Sequence, residues 1–347
     1  MLNMTYRKIA QLAGVSLSTV SKVLSGSPEI SEETAARVRK IAEENGVLRA
    51  RYRRARPSTD IAVIVPEIVS VYYSQNVSEI VAELQRHDIE PHIHLCGFDP
   101  EKYCRIIDSI TDGDGVDGII ALTDFVYPLP SDIPIVRLSA SRTEDKSDVI
   151  DCDLETGMFE ALEYFIALGH KKIGFIGEKN TKQKFAFFRS CSERLGLDIA
   201  PEFIFTSAKR FAEIGTEAAE YFMSLDDRPT ALLAAYDEIA LGAIHTFSKN
   251  GVRVPDDISM IGINDIPSAS YASVPLTTVR TYATEINRLG VKLLLDRIKN
   301  PEGHMPQQIR VRCELIIRDT TARPGQERSP ASQTGNNGRK VRERKET

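Results

Sequence analysis

From Asp60 to about Ala322, apolar runs of strand length alternate with amphipathic helical stretches, and this alternation restricts the fold more than any other feature. A strand followed by a helical crossover returns beside a parallel partner, so the pattern predicts parallel sheets covered by helices. The predicted strands are Ile61–Val65, His92–Leu95, Gly118–Leu122, Ile135–Leu138, Ile173–Ile176, Phe203–Thr206, Ala231–Ala235 and Ile258–Ile261. Predicted helices near Tyr73–His87, Leu154–Leu168, Lys182–Leu195, Ala212–Leu225, Glu238–Lys249 and Ala283–Lys299 fall between or after them. That is too many strands for one compact sheet of this kind, so the expected fold is α/β with two doubly wound lobes. A length of 347 residues also exceeds what one hydrophobic core usually serves.

The segment before Asp60 has a different period. Its first 46 residues read as three short helices, the first from Thr5 as N-cap to Ala13, where Gly14 ends it. Ser16 suits the N-cap of a second helix near Leu17 to Leu24. A third begins at Ser31, places Ala35, Val38, Ile41 and Ala42 on one face, and stops at Asn45-Gly46. Within IAQLAGVSLSTVSKVL, two apolar stripes meet across a glycine turn, which is the layout of a helix-turn-helix. Such a second helix presents its polar N-terminal residues to base edges in a major groove. Lys22 suits guanine acceptors, Ser18 suits several bases and Leu17 a thymine methyl, while Thr19 and Ser21 are better suited to phosphates. A small three-helix bundle that binds a protein is the bland alternative.

Charge divides along the chain in the same sense. Residues 1–59 carry 11 Lys and Arg against 5 Asp and Glu, residues 60–322 carry 26 against 41, and residues 323–347 carry 7 against 3. The formal net charge of −5 therefore conceals a basic head, as expected where one part faces phosphates. No run approaches the ~20 apolar residues of a membrane span, and the N-terminus lacks a signal-peptide apolar core, so a cytoplasmic protein is expected. Five scattered cysteines without a Cys-x-x-Cys pair fit a reduced compartment without structural zinc.

The stretch AGVSLSTVSKVLSGSPEISEETAARVRKIAEENG strongly resembles the N-terminal signature of the lactose-repressor/galactose-repressor family. GHKKIGFIGEKN, AAYDEIALGAIHTFSKNGVRVPDDISMIGINDIPSAS and VPLTTVRTYATEINRLG resemble the sensor motifs of that family in the right order, and the likeness runs to about residue 322. The resemblance implies a transcriptional regulator, a repressor of carbohydrate-utilisation genes, that binds a pseudopalindromic operator as a homodimer. It also implies a sensor like the type I periplasmic sugar-binding proteins, its lobes joined by three crossovers. The expected organisation is a helix-turn-helix head at 1–46, a basic hinge linker at 47–59 and an effector-binding and dimerisation domain at 60–322. Within that domain, lobe 1 takes about 60–152 and 281–307, and lobe 2 about 153–280 and 308–322. A disordered tail, 323–347, lacks the leucine heptad that a tetramerising helix would need.

Several positions depart from the family pattern. Lys8 stands where the family usually has aspartate, and the linker lacks the usual Tyr-x-Pro-Asn and the late leucine, whose place Arg56 takes. Arg51, Arg53, Arg54 and Arg56 can bind the DNA backbone or enter a narrow minor groove, or form a solvated linker. For the effector, the resemblance places Tyr73, Lys184, Phe211, Tyr236, Asp237, Asn264 and Tyr282 at or beside pocket positions, with Lys184 replacing a usual arginine. Strand ends at the crevice between the lobes should supply polar groups matched to sugar hydroxyls and an aromatic face for the ring. Helix capping by Asp237 and Asn264, and packing of the aromatics, are the structural alternatives. INDIPSASYASVPLTTVR is most similar to regulators of galactoside utilisation, which makes a galactoside the first expected ligand.

Other patterns lead elsewhere. Gly113 to Gly118 spells G-x-G-x-x-G, but it follows the helix near Glu101–Ser109 and feeds a strand, the reverse of a dinucleotide site. His92, His94 and Cys96 share a strand face without a further metal ligand in view. No G-x-S-x-G, H-E-x-x-H or phosphate loop is present, so neither an enzyme nor a cofactor is expected. A sugar-binding protein with no DNA role and an enzyme of doubly wound fold are the remaining alternatives.

Overall fold

A computed structural model describes residues 2–24, 30–44, 59–111, 115–127, 133–138, 147–301 and 305–325. Arg51, Arg53, Arg54 and Arg56 and most of the basic tail lie outside the described residues, as does the Asn45-Gly46 stop signal.

The head comprises α1 (Leu2–Ala13), α2 (Leu17–Leu24) and α3 (Glu32–Glu44). The first helix begins at Leu2, so Thr5 is inside it and is not its N-cap; Leu2, Asn3 and Met4 include no breaker to stop an upstream extension. Ile9, Ala10 and Ala13 from α1, Val20 and Val23 from α2, and Ala35, Val38 and Ala42 from α3 form one small buried core. Gly14 makes the crossing possible. Its φ of +64° is left-handed, with the Val15 N–H on the Ala10 carbonyl at 3.0 Å and the Gly14 N–H on the Gln11 carbonyl at 3.4 Å, the two bonds of a Schellman turn. A Cβ at Gly14 would meet nothing within 4 Å, so glycine is required there for its backbone freedom and not for space. Ser16 then caps α2 by accepting the Thr19 N–H at 3.0 Å.

Two compact units carry the sheets, the first of them including the head. One compact unit holds the chain up to Asp151 together with Thr284–Arg310, and the other holds Cys152–Ala283 and the chain from Val311 onward, so the backbone passes between them three times. The first sheet contains β1 (Ile61–Val65), β2 (His92–Leu95), β3 (Gly118–Ala121), β4 (Ile135–Leu138), β5 (Asp148–Asp153) and β11 (Gln308–Arg312) in the order β2-β1-β3-β4-β5-β11. The first five are parallel. Helices α4 (Val71–Gln85) and α5 (Pro100–Thr111) are its crossovers, and the long helix Ala283–Lys299 packs Leu294 and Ile298 against Gly118. Gly115 to Gly118 leads out of α5 into β3, as its position in the sequence predicts.

The second sheet repeats the order: β6 (Ile173–Glu178), β7 (Ile204–Ser207), β8 (Ala231–Ala234), β9 (Ser259–Asn264), β10 (Thr277–Arg280) and β12 (Glu314–Ile316) are arranged β7-β6-β8-β9-β10-β12. All neighbours are parallel except β12, which runs antiparallel to β10. Its helices are α6 (Leu154–Leu168), α7 (Lys182–Arg194), α8 (Ala212–Ser224), α9 (Asp237–Lys249) and the short α10 (Pro267–Tyr271). Phe165, Phe175, Phe188, Phe222 and Phe247 are fully buried in this unit. His170 ties the returning chain to the sheet: Nδ1 lies 2.9 Å from the Thr230 hydroxyl and Nε2 2.9 Å from the Ala322 carbonyl.

Doubly wound α/β architecture was expected and is present, but four strands were not predicted: β5, β10, β11 and β12. The strand expected at Phe203–Thr206 begins one residue later, because Pro201–Phe203 forms a 3-10 turn. Packing of α8 on α9 is unusually close: a Cβ at Gly242 would stand 2.4 Å from the Ala212 carbonyl oxygen, and one at Gly215 would stand 2.2 Å from that of Ile239. Both obstacles are backbone atoms, which cannot swing aside. Gly242→Ala should therefore destabilise the protein by about 1–3 kcal/mol, as overpacking generally does, seen as a lower urea midpoint with an unchanged slope. An unshifted midpoint would mean that the two helices can separate at no cost.

Candidate functional site

In the head, the capped helix α2 turns its polar side outward. Leu17, Ser18, Ser21 and Lys22 are exposed and Thr19 is half-buried, while Val20 and Val23 face the core. The Ser16 hydroxyl lies 2.7 Å from that of Ser18 and 2.8 Å from that of Thr19. Thr19 therefore helps to start the helix as well as offering a hydroxyl at its surface.

The second sheet gathers its functional groups at the carboxyl ends of its parallel strands, where a doubly wound sheet binds ligands. Glu178 closes β6, Arg210 and Phe211 follow β7, Tyr236 and Asp237 follow β8, Asn264 and Asp265 close and follow β9, and Arg280 and Tyr282 close and follow β10. Backbone strain collects at the same edge. Phe211 has φ 56°, Asn264 114°, Asp265 56° and Tyr282 53°, conformations that cost energy in residues with a Cβ and that cluster at sites of function.

One end of this edge is aromatic. The Phe211 and Tyr236 rings stand 6.1 Å apart, the Arg210 guanidinium covers Phe211 at 4.4 Å, and the Lys184 ammonium lies 5.6 Å from the centre of the Tyr236 ring. Lys184 donates to the Ala235 carbonyl at 2.8 Å, and loss of solvation lowers its pKa. Glu178 is buried and takes Arg210 Nε across both carboxylate oxygens at 3.3 and 3.2 Å. Burial, and then the nearby Glu178 carboxylate, raise the pKa of the Tyr236 hydroxyl and keep it protonated.

The other end is a charge clasp. Asp265 accepts from Arg280 Nε at 2.7 Å and from an Arg318 terminal nitrogen at 2.6 Å, and Arg318 also donates to the Leu276 carbonyl at 2.7 Å. The Tyr282 hydroxyl donates to Glu314. Between these ends, Asp237 is fully buried and both its oxygens serve the protein: Oδ1 accepts the Thr278 hydroxyl at 2.5 Å and Oδ2 the Ile266 N–H at 2.8 Å. Asp237 therefore holds the Asn264–Ile266 turn in place, both of its oxygens being engaged within the protein. Tyr73 lies in the other unit, near the start of α4, with its ring edge-on to Phe98 at 5.9 Å.

Two family models match this chain: the lacI family of bacterial regulatory proteins over residues 5–47, and the periplasmic binding protein-like domain over residues 162–321. The transcriptional repressor CytR of Escherichia coli K12 is 30% identical over 331 residues, spanning 91% of this chain and 96% of its own length. The chain belongs to the lacI family. The probable repressor ExuR of Bacillus subtilis is 29% identical, over 92% of this chain and 98% of its own. A Lactobacillus casei regulator of the family, solved with bound sucrose, superimposes with a TM-score of 0.68 at 22% identity, over 76% of this chain and all of its own.

As a lacI-family member the chain is a DNA-binding transcriptional regulator, with a helix-turn-helix head and a ligand-binding domain. Among the described residues no helix is long and apolar enough to cross a membrane, and no group of three or more His, Cys, Asp or Glu side chains is placed to hold a metal ion. His92 is exposed, His94 is half-buried and Cys96 is buried beyond the end of β2. Glu178, Arg210, Asp265, Arg280 and Arg318 were missed from the sequence. The advance signal was that three of them, Glu178, Arg210 and Asp265, come shortly after predicted strands.

Burial pushes the Asp237 carboxyl up to about 7, against the lowering effect of its two hydrogen bonds. A raised folded-state value means that the stability it contributes is fully present below its ordinary value near 4 and is lost as pH rises through 7. Between those limits the wild type should lose stability relative to Asp237→Asn, by at most about 1.4 kcal/mol per pH unit. Denaturant unfolding of both proteins across this range checks it, and parallel profiles would exclude Asp237 as the titrating group.

Proposed function

We infer that this regulator is a cytoplasmic homodimeric repressor, not an enzyme, whose grip on a pseudopalindromic operator is controlled by a small sugar. The observation that carries the reading is the carboxyl edge of the second sheet. There the Phe211 and Tyr236 rings offer an apolar face, and Glu178, Lys184, Arg210 and Asn264 offer donors and acceptors beside it. Sugars need that combination, since a pyranose ring has an apolar C–H face and a rim of hydroxyls. Most charges at this edge already have a partner of opposite sign, as in Arg210 with Glu178 and Arg280 and Arg318 with Asp265. The Lactobacillus casei relative, of the same fold, carries sucrose. Galactosides are the first ligands to test because of the C-terminal likeness to galactoside regulators.

On the DNA side, Leu17, Ser18 and Lys22 reach base edges, while Thr19 and Ser21, with Arg51, Arg53, Arg54 and Arg56 of the linker, meet phosphates. Dimer contacts come from the sensor lobes and not from the tail. Ile68, Val69, Ile93 and Leu95, exposed apolar residues of the first unit, support this assignment.

Two measurements test the reading. Selection of randomised operators should show that Lys22→Ala costs about 1–3 kcal/mol at particular bases, whereas a uniform loss over all sequences would reassign Lys22 to phosphate. A melting screen against galactosides, other sugars and nucleobases should raise the midpoint with a sugar, because a ligand of the native state stabilises by mass action. A shift with nucleobases alone would overturn the sugar assignment.

A further inference from the structure

The Tyr236 hydroxyl is buried without a hydrogen-bond partner, although its residue is only 8% exposed. A buried polar group without a partner is costly, so a ligand group that reaches it gains what the empty site forgoes. The nearest acid is Glu178, whose carboxylate already accepts the Thr181 N–H and spans Arg210 Nε. The Tyr236 hydroxyl and the Glu178 carboxylate thus face each other closely enough to interact, but not at hydrogen-bond distance. The Arg210 charge is already neutralised by Glu178, and the same guanidinium lies over the Phe211 ring.

We propose that Tyr236, Glu178 and Arg210 form a subsite for an uncharged hydroxyl of a neutral ring ligand, and that Glu178 excludes ligands bearing a carboxylate or phosphate there. The proposal rests on the sugar-effector reading and narrows it to a chemical class. A hydroxyl both accepts and donates: it takes the Tyr236 proton and gives its own to Glu178, satisfying both groups. A carboxylate or phosphate has no proton to give Glu178 at neutral pH and sets a second negative charge against it in a desolvated place. Burial keeps Tyr236 a neutral donor, so it supplies no compensating charge. Arg210 pairs with Glu178 and fixes it in place, and its guanidinium lies over Phe211, the ring on which the ligand would rest.

The test is calorimetric titration of the full chain with matched pairs: galactose and galacturonate, ribose and ribose 5-phosphate, uridine and uridine 5′-monophosphate. The neutral member of at least one pair should bind at least about tenfold more tightly than its anionic partner. Glu178→Gln, which keeps the shape and an acceptor but removes the charge, should narrow that gap by about tenfold, chiefly by admitting the anion. Arg210→Gln, which leaves Glu178 charged without its cation, should widen it, and carries the test if Glu178→Gln does not fold. Tyr236→Phe should weaken the neutral ligand about 5-fold or more. Tighter binding of the anionic members, or a ratio indifferent to both changes, overturns the subsite while leaving a sugar effector in place. No binding by any member of the set overturns the sugar reading itself, and the subsite with it.

Discussion

The second sheet's ligand edge depends on one buried carboxylate. Asp237 has no water to solvate it, so it draws the Ile266 N–H and the Thr278 hydroxyl onto its two oxygens and thereby fixes the turn after β9 to β10. The contact needs Gly262, because a Cβ there would stand 2.1 Å from Oδ1. At the start of α9 the acid also sits at the favourable end of the helix dipole. The left-handed backbones of Asn264 and Asp265 persist because this anchor on one side and the Arg280 and Arg318 clasp on the other over-determine them.

The alternating pattern made the sheets legible because β1, β3, β6 and β8 are buried on both faces and read as unbroken apolar runs. The missed strands lack that signal. β5 carries three aspartates, β10 opens with two threonines, and β11 alternates between exposed and half-buried residues as an edge strand does. Such segments become strands through their neighbours and not through their own composition. The second sheet's antiparallel edge was equally hidden, since β12 is only three residues long.

Site residues divide along the same line. Tyr236 and Asn264 are nominated because they sit in stretches that resemble the family's motifs. Glu178 and Arg210 are separated by 32 positions, and only the adjacency of β6 and β7 brings them together. No local pattern announces such a pair. Asp237 shows the converse: its position was visible in the sequence, but its burial and its bonds to Ile266 and Thr278 were not.

The head obeys a different economy. Among the described residues its buried core contains four alanines in eight, so little apolar area is removed from water. A domain of that size is marginal, and a turn or cap contributing about 0.5–2 kcal/mol is a large fraction of what holds it. Gly14 and Ser16 therefore do more than separate two helices: they fix the angle at which α2 crosses α1. Operator DNA binds only the folded head, and so adds stability to it by mass action. An effector need change that balance by only about 1–3 kcal/mol to alter operator affinity 5- to 150-fold, provided it prefers one state of the sensor over the other. A weakly stabilised reader is for this reason well matched to the modest free energy that one small ligand can supply.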